Sequence, residues 1–227
     1  MDGLQLLREF VDGVRPWDRV AAFDLIAQRL VDIPQGATMR ALDDIRGVAR
    51  GSSAHEVVAS LFSGTGSTPP SLRGDGESYD EPGNSFIHSV VLRGKGIPLT
   101  LAVITSEVAA SLDVDLEVVG MPGHVLVRDG RDPQRFFDLF GGGTELDENG
   151  CRELYRNLTA LNDWDPRFLE PIDTAQQVFR MLNNLKSIYR RRTDTPRLRS
   201  VMAMRALFPG VAAAERGEFA RLMRETN

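Results

Sequence analysis

Apolar positions recur with a helical period at both ends of the chain and alternate only in its middle. Val20, Phe23, Leu25, Ile26 and Leu30 fall at helical spacing, and Pro34-Gln35-Gly36 closes that segment. Two more helices are predicted over residues 38–50 and 55–62. Residues 63–80 (SGTGSTPPSLRGDGESYD) are rich in Gly, Ser and Pro and have no period, which predicts a flexible surface loop. Its Gly-x-Gly fragments lie between no strand and helix, so they do not read as a phosphate cradle.

Residues 84–92 (NSFIHSVVL) predict a short helix with Phe86, Ile87, Val90 and Val91 apolar, and residues 93–96 a turn. Pro98 suits the first position of a helix, where its missing N–H costs nothing. The run over 99–112 (LTLAVITSEVAASL) is apolar around most of its circumference, as expected of a helix buried on several sides. Short β-type runs follow at 116–119, 125–128 and 136–140, separated by Met121-Pro122-Gly123 and Asp129-Gly130-Arg131-Asp132-Pro133. That is the pattern of an antiparallel meander.

From Asp173 or Thr174 a third helical zone begins. Val178, Met181, Leu182, Leu185, Ile188 and Tyr189 form one stripe, which ends in Arg190-Arg191-Arg192. Helices over 196–208 and 211–223, split by Pro209-Gly210, complete a partial helical repeat. Lys186 with Arg190 to Arg192 is the densest basic cluster, read as a solvated helix end rather than a nucleic-acid patch.

Bulk properties narrow the function classes. A length of 227 residues holds a full hydrophobic core, and the net charge of −5 argues against a nucleic-acid binder. Cys151, the single cysteine, excludes a disulfide framework and a multi-cysteine zinc site, and fits a reducing cytoplasm. Asp2, Glu9, Asp12 and Asp18 interrupt the first 19 residues, so no signal peptide is expected. Nor does any apolar run reach the ~20 residues that would span a bilayer.

Three histidines bound the candidate chemistry. His124 opens one β-type run and Asp138 lies in the next, so neighbouring antiparallel strands can bring them side by side. A carboxylate can then orient an imidazole as a general base. Equally, His124 can cap a turn while Asp138 ends a strand. Gly141-Gly142-Gly143 reads as pocket lining or as an ordinary loop, and Glu107 as a buried acid paired with an arginine or as a solvent-facing position.

Several ordered blocks resemble the SirB1 family, a branch of the transglutaminase-like superfamily with a papain-like fold. They are Arg93-Gly94-Lys95-Gly96-Ile97-Pro98-Leu99-Thr100-Leu101, Glu107-Val108-Ala109, Gly120-Met121-Pro122-Gly123-His124-Val125-Leu126-Val127-Arg128 and Phe137-Asp138-Leu139-Phe140-Gly141-Gly142-Gly143. Asn84-Ser85-Phe86-Ile87-His88 upstream, and Leu182-Asn183-Asn184-Leu185-Lys186-Ser187-Ile188-Tyr189 downstream, extend the likeness. The resemblance implies His124 as the catalytic histidine and Asp138 as its orienting aspartate. Active relatives carry a nucleophilic cysteine in Gly-x-Cys-x-x-x-Ala. Here Gly96 to Ala102 is the matching stretch, and the cysteine position falls on Pro98, which has no nucleophilic atom. Thr100 is a poor substitute, about 200° further around the helix. Cys151 matches no nucleophile position.

The expected fold is α+β: a transglutaminase-like domain over 1–170 that includes the N-terminal helices, and a helical, TPR-like appendage over 171–227. Its core is a buried helix packed on an antiparallel sheet. The expected function is a non-catalytic regulatory or protein-interaction module with a protein partner and no cofactor. The alternative is a hydrolase or acyltransferase that uses His124 and Asp138 with water, Thr100 or a metal. His88, His124 and Asp138 are the set that would hold such a metal, though none is expected. Small-molecule binding in a vestigial cleft is a lesser option.

Overall fold

The computed structural model describes residues 3–63 and 68–225. In chain order the elements begin with α1 (Gly3–Val11) and α2 (Arg19–Leu30). Next come α3 (Ala37–Val48), α4 (Ala54–Phe62), β1 (Arg73–Gly74), a 3-10 turn (Pro82–Ser85), α5 (Ile87–Arg93), β2 (Lys95–Gly96) and α6 (Pro98–Ala110). Strands β3 (Leu116–Val119), β4 (Leu126–Asp129), β5 (Phe136–Asp138) and β6 (Thr144–Leu146) lead into α7 (Glu148–Thr159) and a 3-10 turn (Pro166–Leu169). The chain ends in α8 (Thr174–Arg191), α9 (Thr195–Arg205) and α10 (Ala212–Glu225). No helix among the described residues is long and apolar enough to cross a membrane.

These elements form two compact units, Gly36–Asp173 and, together, Met1–Gln35 with Thr174–Asn227. The division differs from the one drawn from sequence, because α1 and α2 group with the C-terminal helices. The apolar stripe of α2 explains why: Ala22, Phe23, Ile26 and Leu30 are buried, and α2 packs on α1, α8 and α9. Arg197 fastens the arrangement by donating from Nε to the Leu30 carbonyl at 2.7 Å.

Lys186 corrects the solvated-end reading of the basic cluster. Its ammonium donates to Glu215 and Glu218 at 2.7 Å each, while Arg205 Nε also reaches Glu215 at 2.7 Å and Arg190 pairs with Glu218. Burial alone would push the Glu215 carboxyl up, yet these cations hold it below the ordinary carboxylate range. The cluster thus ties α8 and α9 to α10.

In the second unit α6 is the central element. Eleven of its thirteen residues are buried, and it packs on α3, α4, α5, β3 and β4, as a run apolar on all sides requires. Pro98 occupies its first turn. Glu107 is its one charged residue, part-buried with Arg46 Nη2 at 3.8 Å.

The sheet is antiparallel in the order β3-β4-β5-β6, with Val118 opposite Val127 and Val127 opposite Phe137. The sequence predicted three strands. The fourth, β6, is a polar Thr-Glu-Leu edge that carries no apolar alternation. Helix α7 was also missed. It packs Cys151 and Tyr155 into a cluster with Val119, Met121, Leu126, Phe136 and Leu169.

The expected loop over 63–80 is corrected in part, with residues 64–67 outside the described residues. Leu72 and Asp75 are buried, and Arg73 and Gly74 pair in parallel with Lys95 and Gly96. Asp75 accepts hydrogen bonds from the Ser78 N–H at 3.0 Å and from Asn84 Nδ2 at 3.2 Å, which satisfies a carboxylate that would otherwise be costly to bury. Asn84 in turn accepts from Arg93 Nη2 at 2.8 Å.

Candidate functional site

His124 sits just before β4, in a tight turn where its N–H donates to the Met121 carbonyl at 3.0 Å. Gly123 there has φ +78°, a left-handed conformation that a residue with a Cβ adopts only under strain. Asp138 is the last residue of β5. Continuing the pairing of Val127 with Phe137 puts Leu126 opposite Asp138, and His124 two positions further along. That diagonal is within reach of an imidazole.

The two side chains meet, with His124 Nε2 2.8 Å from Asp138 Oδ1. A carboxylate only accepts, so Nε2–H donates to it, and in the neutral ring the basic lone pair falls on Nδ1. Burial alone would push the Asp138 carboxyl up. Its pairing with His124 and the N–H groups of Gly141 and Phe140 outweigh that and hold it below the usual carboxylate range. Gly141 donates at 3.0 Å, which gives the first residue of the Gly141-Gly142-Gly143 run a part in fixing the carboxylate. The His124 side chain is 6% exposed.

One face of this pair was invisible in sequence. The Phe140 ring meets the His124 ring edge-on at 6.2 Å, and Tyr79 meets Phe140 at 5.9 Å. Gly74 lies so close that an added Cβ would come 2.4 Å from the Phe140 carbonyl oxygen and 2.7 Å from its ring. Gly74→Ala is therefore expected to displace Phe140 from His124 and to cost about 1–3 kcal/mol, as overpacking does. Urea unfolding measures the loss, and altered His124 ring signals in NMR spectra report the displacement.

The remaining candidates do not join the pair as reactive groups. Pro98 is buried at the first helical position of α6. Thr100 is fully buried, and its Oγ1 has no hydrogen-bond partner among the described residues. The Cys151 thiol is fully buried; burial first, then Asp147, Asp138 and Glu148, push its pKa up to about 12. So little thiolate exists near neutrality that it cannot serve as a nucleophile. His88 lies on α5 with its ring stacked on Phe86 at 6.0 Å. Among the described residues no three His, Cys, Asp or Glu side chains are placed to hold a metal ion, so His88, His124 and Asp138 form no such set.

Comparison with known proteins shows the superfamily to which this fold belongs. The profile of the transglutaminase-like superfamily matches residues 39–183. UPF0162 proteins from two Xylella fastidiosa strains are 37% identical over 121 residues, a stretch covering 51% of this chain and 43% of theirs. F-box only protein 21 from Homo sapiens is 28% identical over 130 residues, covering 53% of this chain and 20% of the human protein. The shared stretch is thus less than half the length of these relatives. No solved structure matches the chain.

Proposed function

We propose that this chain, which belongs to the transglutaminase-like superfamily, is a non-catalytic regulatory or protein-interaction module of the SirB1 family. The observation that carries this reading is a His–Asp pair with no nucleophile to activate. His124 and Asp138 are joined at 2.8 Å, Pro98 stands at the start of the buried helix, Thr100 is enclosed and the Cys151 thiol is silent. Loss of the nucleophile forfeits several orders of magnitude in covalent acyl transfer. The pair then serves the fold, satisfying two buried polar groups and pinning the turn before β4 to the end of β5.

The relatives' lengths support a module. The shared stretch occupies 43% of one kind of chain and 20% of another, as a unit carried within larger proteins would. Helices α8 to α10, read as a TPR-like arrangement, supply a contact surface for a protein partner in a reducing cytoplasm.

The orientation of His124 favours a second reading. With Nε2 given to Asp138, Nδ1 is set as a base, as a hydrolase or acyltransferase acting through water or Thr100 would need. The two readings separate on incubating the purified chain with an acyl donor and a primary amine. Turnover no greater than that of His124→Ala is expected. Turnover in the wild type that His124→Ala abolishes overturns the non-catalytic reading.

A further inference from the structure

A cavity of about 370 Å³ opens beside β4, β5 and the start of α7. That is near the lower end of ligand-binding pockets, which run from about 300 to 1,000 Å³. Its lining includes neither His124 nor Asp138, so it is distinct from the paired residues. We propose that this cavity receives an arginine side chain of the protein partner, an inference that rests on the interaction-module reading above.

The charges around the cavity favour a cation. Arg128 lines it, but its Nε and Nη2 are committed to Glu117 Oε2 at 2.9 and 2.7 Å. Asp147 accepts from the Gly150 N–H at 2.8 Å and so caps α7. Glu148 and Glu170 remain, each exposed; Glu170 lies in the field of Arg167, whose guanidinium is hydrogen-bonded to Asp165. The start of a helix ordinarily attracts anions. Here Asp147 and Glu148 already fill that role, and a second anion would meet their repulsion.

The remaining lining favours guanidinium over ammonium. Phe136 and Leu169 are largely buried, while Pro133 and Pro166 add apolar surface suited to a flat, weakly hydrated cation. Gln134 and Asn149 also line the cavity, and their side-chain amides can turn an oxygen toward a cation. Acceptors spread around a cavity suit the five N–H donors of one guanidinium better than a compact ammonium. The alkyl stem would cover the apolar wall.

The experiment is an NMR titration of the full chain with an acetylated, amidated alanine pentapeptide carrying a central arginine. A citrulline counterpart and spermidine serve as further probes. The arginine peptide is expected to shift the amide signals of Gln134, Glu148, Asn149 and Glu170, and the neutral citrulline peptide to leave them unmoved. The double variant Glu148→Gln/Glu170→Gln is expected to weaken arginine-peptide binding about tenfold. Equal shifts from both peptides, or binding unchanged in the double variant, overturn the proposal. Spermidine moving these four signals while the arginine peptide does not also overturns it, in favour of a free polycation. The titration reads the cavity alone. Acyl turnover with retained peptide binding would remove the non-catalytic reading and leave the cavity assignment, and no turnover with no peptide binding would do the reverse.

Discussion

Removing the Asp138 carboxylate is expected to destabilise the second unit by about 2 kcal/mol, the loss typical of breaking a buried hydrogen bond to a charged group. Asp138→Ala removes the carboxylate to which the His124 ring, only 6% exposed, donates, and takes the acceptor from the Gly141 N–H. Asp138→Asn keeps the shape and an acceptor oxygen, so it is expected to lose about half as much. Proton linkage supplies a second readout. The folded-state carboxyl lies below its ordinary value of about 3.9, so its stabilisation is fully present above that value. As pH falls through the lower folded-state value, that contribution disappears. Urea unfolding of wild type and Asp138→Asn should therefore give a difference that shrinks once pH drops below about 4. A difference that persists unchanged into acid would mean that the charge of Asp138 stabilises nothing.

Much of the second unit was legible because its elements advertise themselves locally. A run apolar on every side and opened by Pro98 could only be a buried helix. Glycine-punctuated β-type runs placed His124 and Asp138 on neighbouring elements, and the surrounding blocks put them in one site. What escaped the sequence depends on distant partners. Helix α7 carries Cys151, Leu154, Tyr155 and Leu158 at helical spacing, but only Cys151 and Tyr155 are buried and Leu158 is exposed. Its place is dictated by Val119, Leu126 and Phe136 on the sheet, which no local period reveals. The same holds for Asp75, whose burial makes sense only once Ser78 and Asn84 are in place. Gly74 read as loop composition, and its need to be glycine comes from Phe140, 66 positions later. Strand β6 lacks a signal altogether, being an edge on which Thr144 and Glu145 are exposed and only Leu146 is part-buried.

Placing a thiol at the start of α6 gives the most direct test of whether Pro98 stands at the nucleophile position of the proposed site. Pro98→Cys is expected to be tolerated, since the first-turn N–H needs no partner and losing proline there costs about 0.4–1 kcal/mol. A cysteine at a helix N-terminus that also faces a histidine has its thiol pKa lowered by roughly two units, so the size of the shift reports whether His124 faces position 98. At pH 6.5 that raises the thiolate fraction from about 1% to about half. Compared with the same, equally buried thiol in the His124→Ala background, iodoacetamide is therefore expected to modify the introduced thiol tens of times faster, by roughly the gain in thiolate. Cys151 gives a quiet background, because its pKa of about 12 and full burial keep it unmodified in the folded chain. Adding His124→Ala should return the introduced thiol to ordinary reactivity. A thiol that reacts at the ordinary rate with or without His124 would mean that Pro98 does not stand where the nucleophile belongs. His124 and Asp138 would then be a structural pair with no catalytic ancestry to explain. Fast modification that depends on His124 would mean the opposite: the base and its orienter are still poised, and one side chain separates this site from a reactive one.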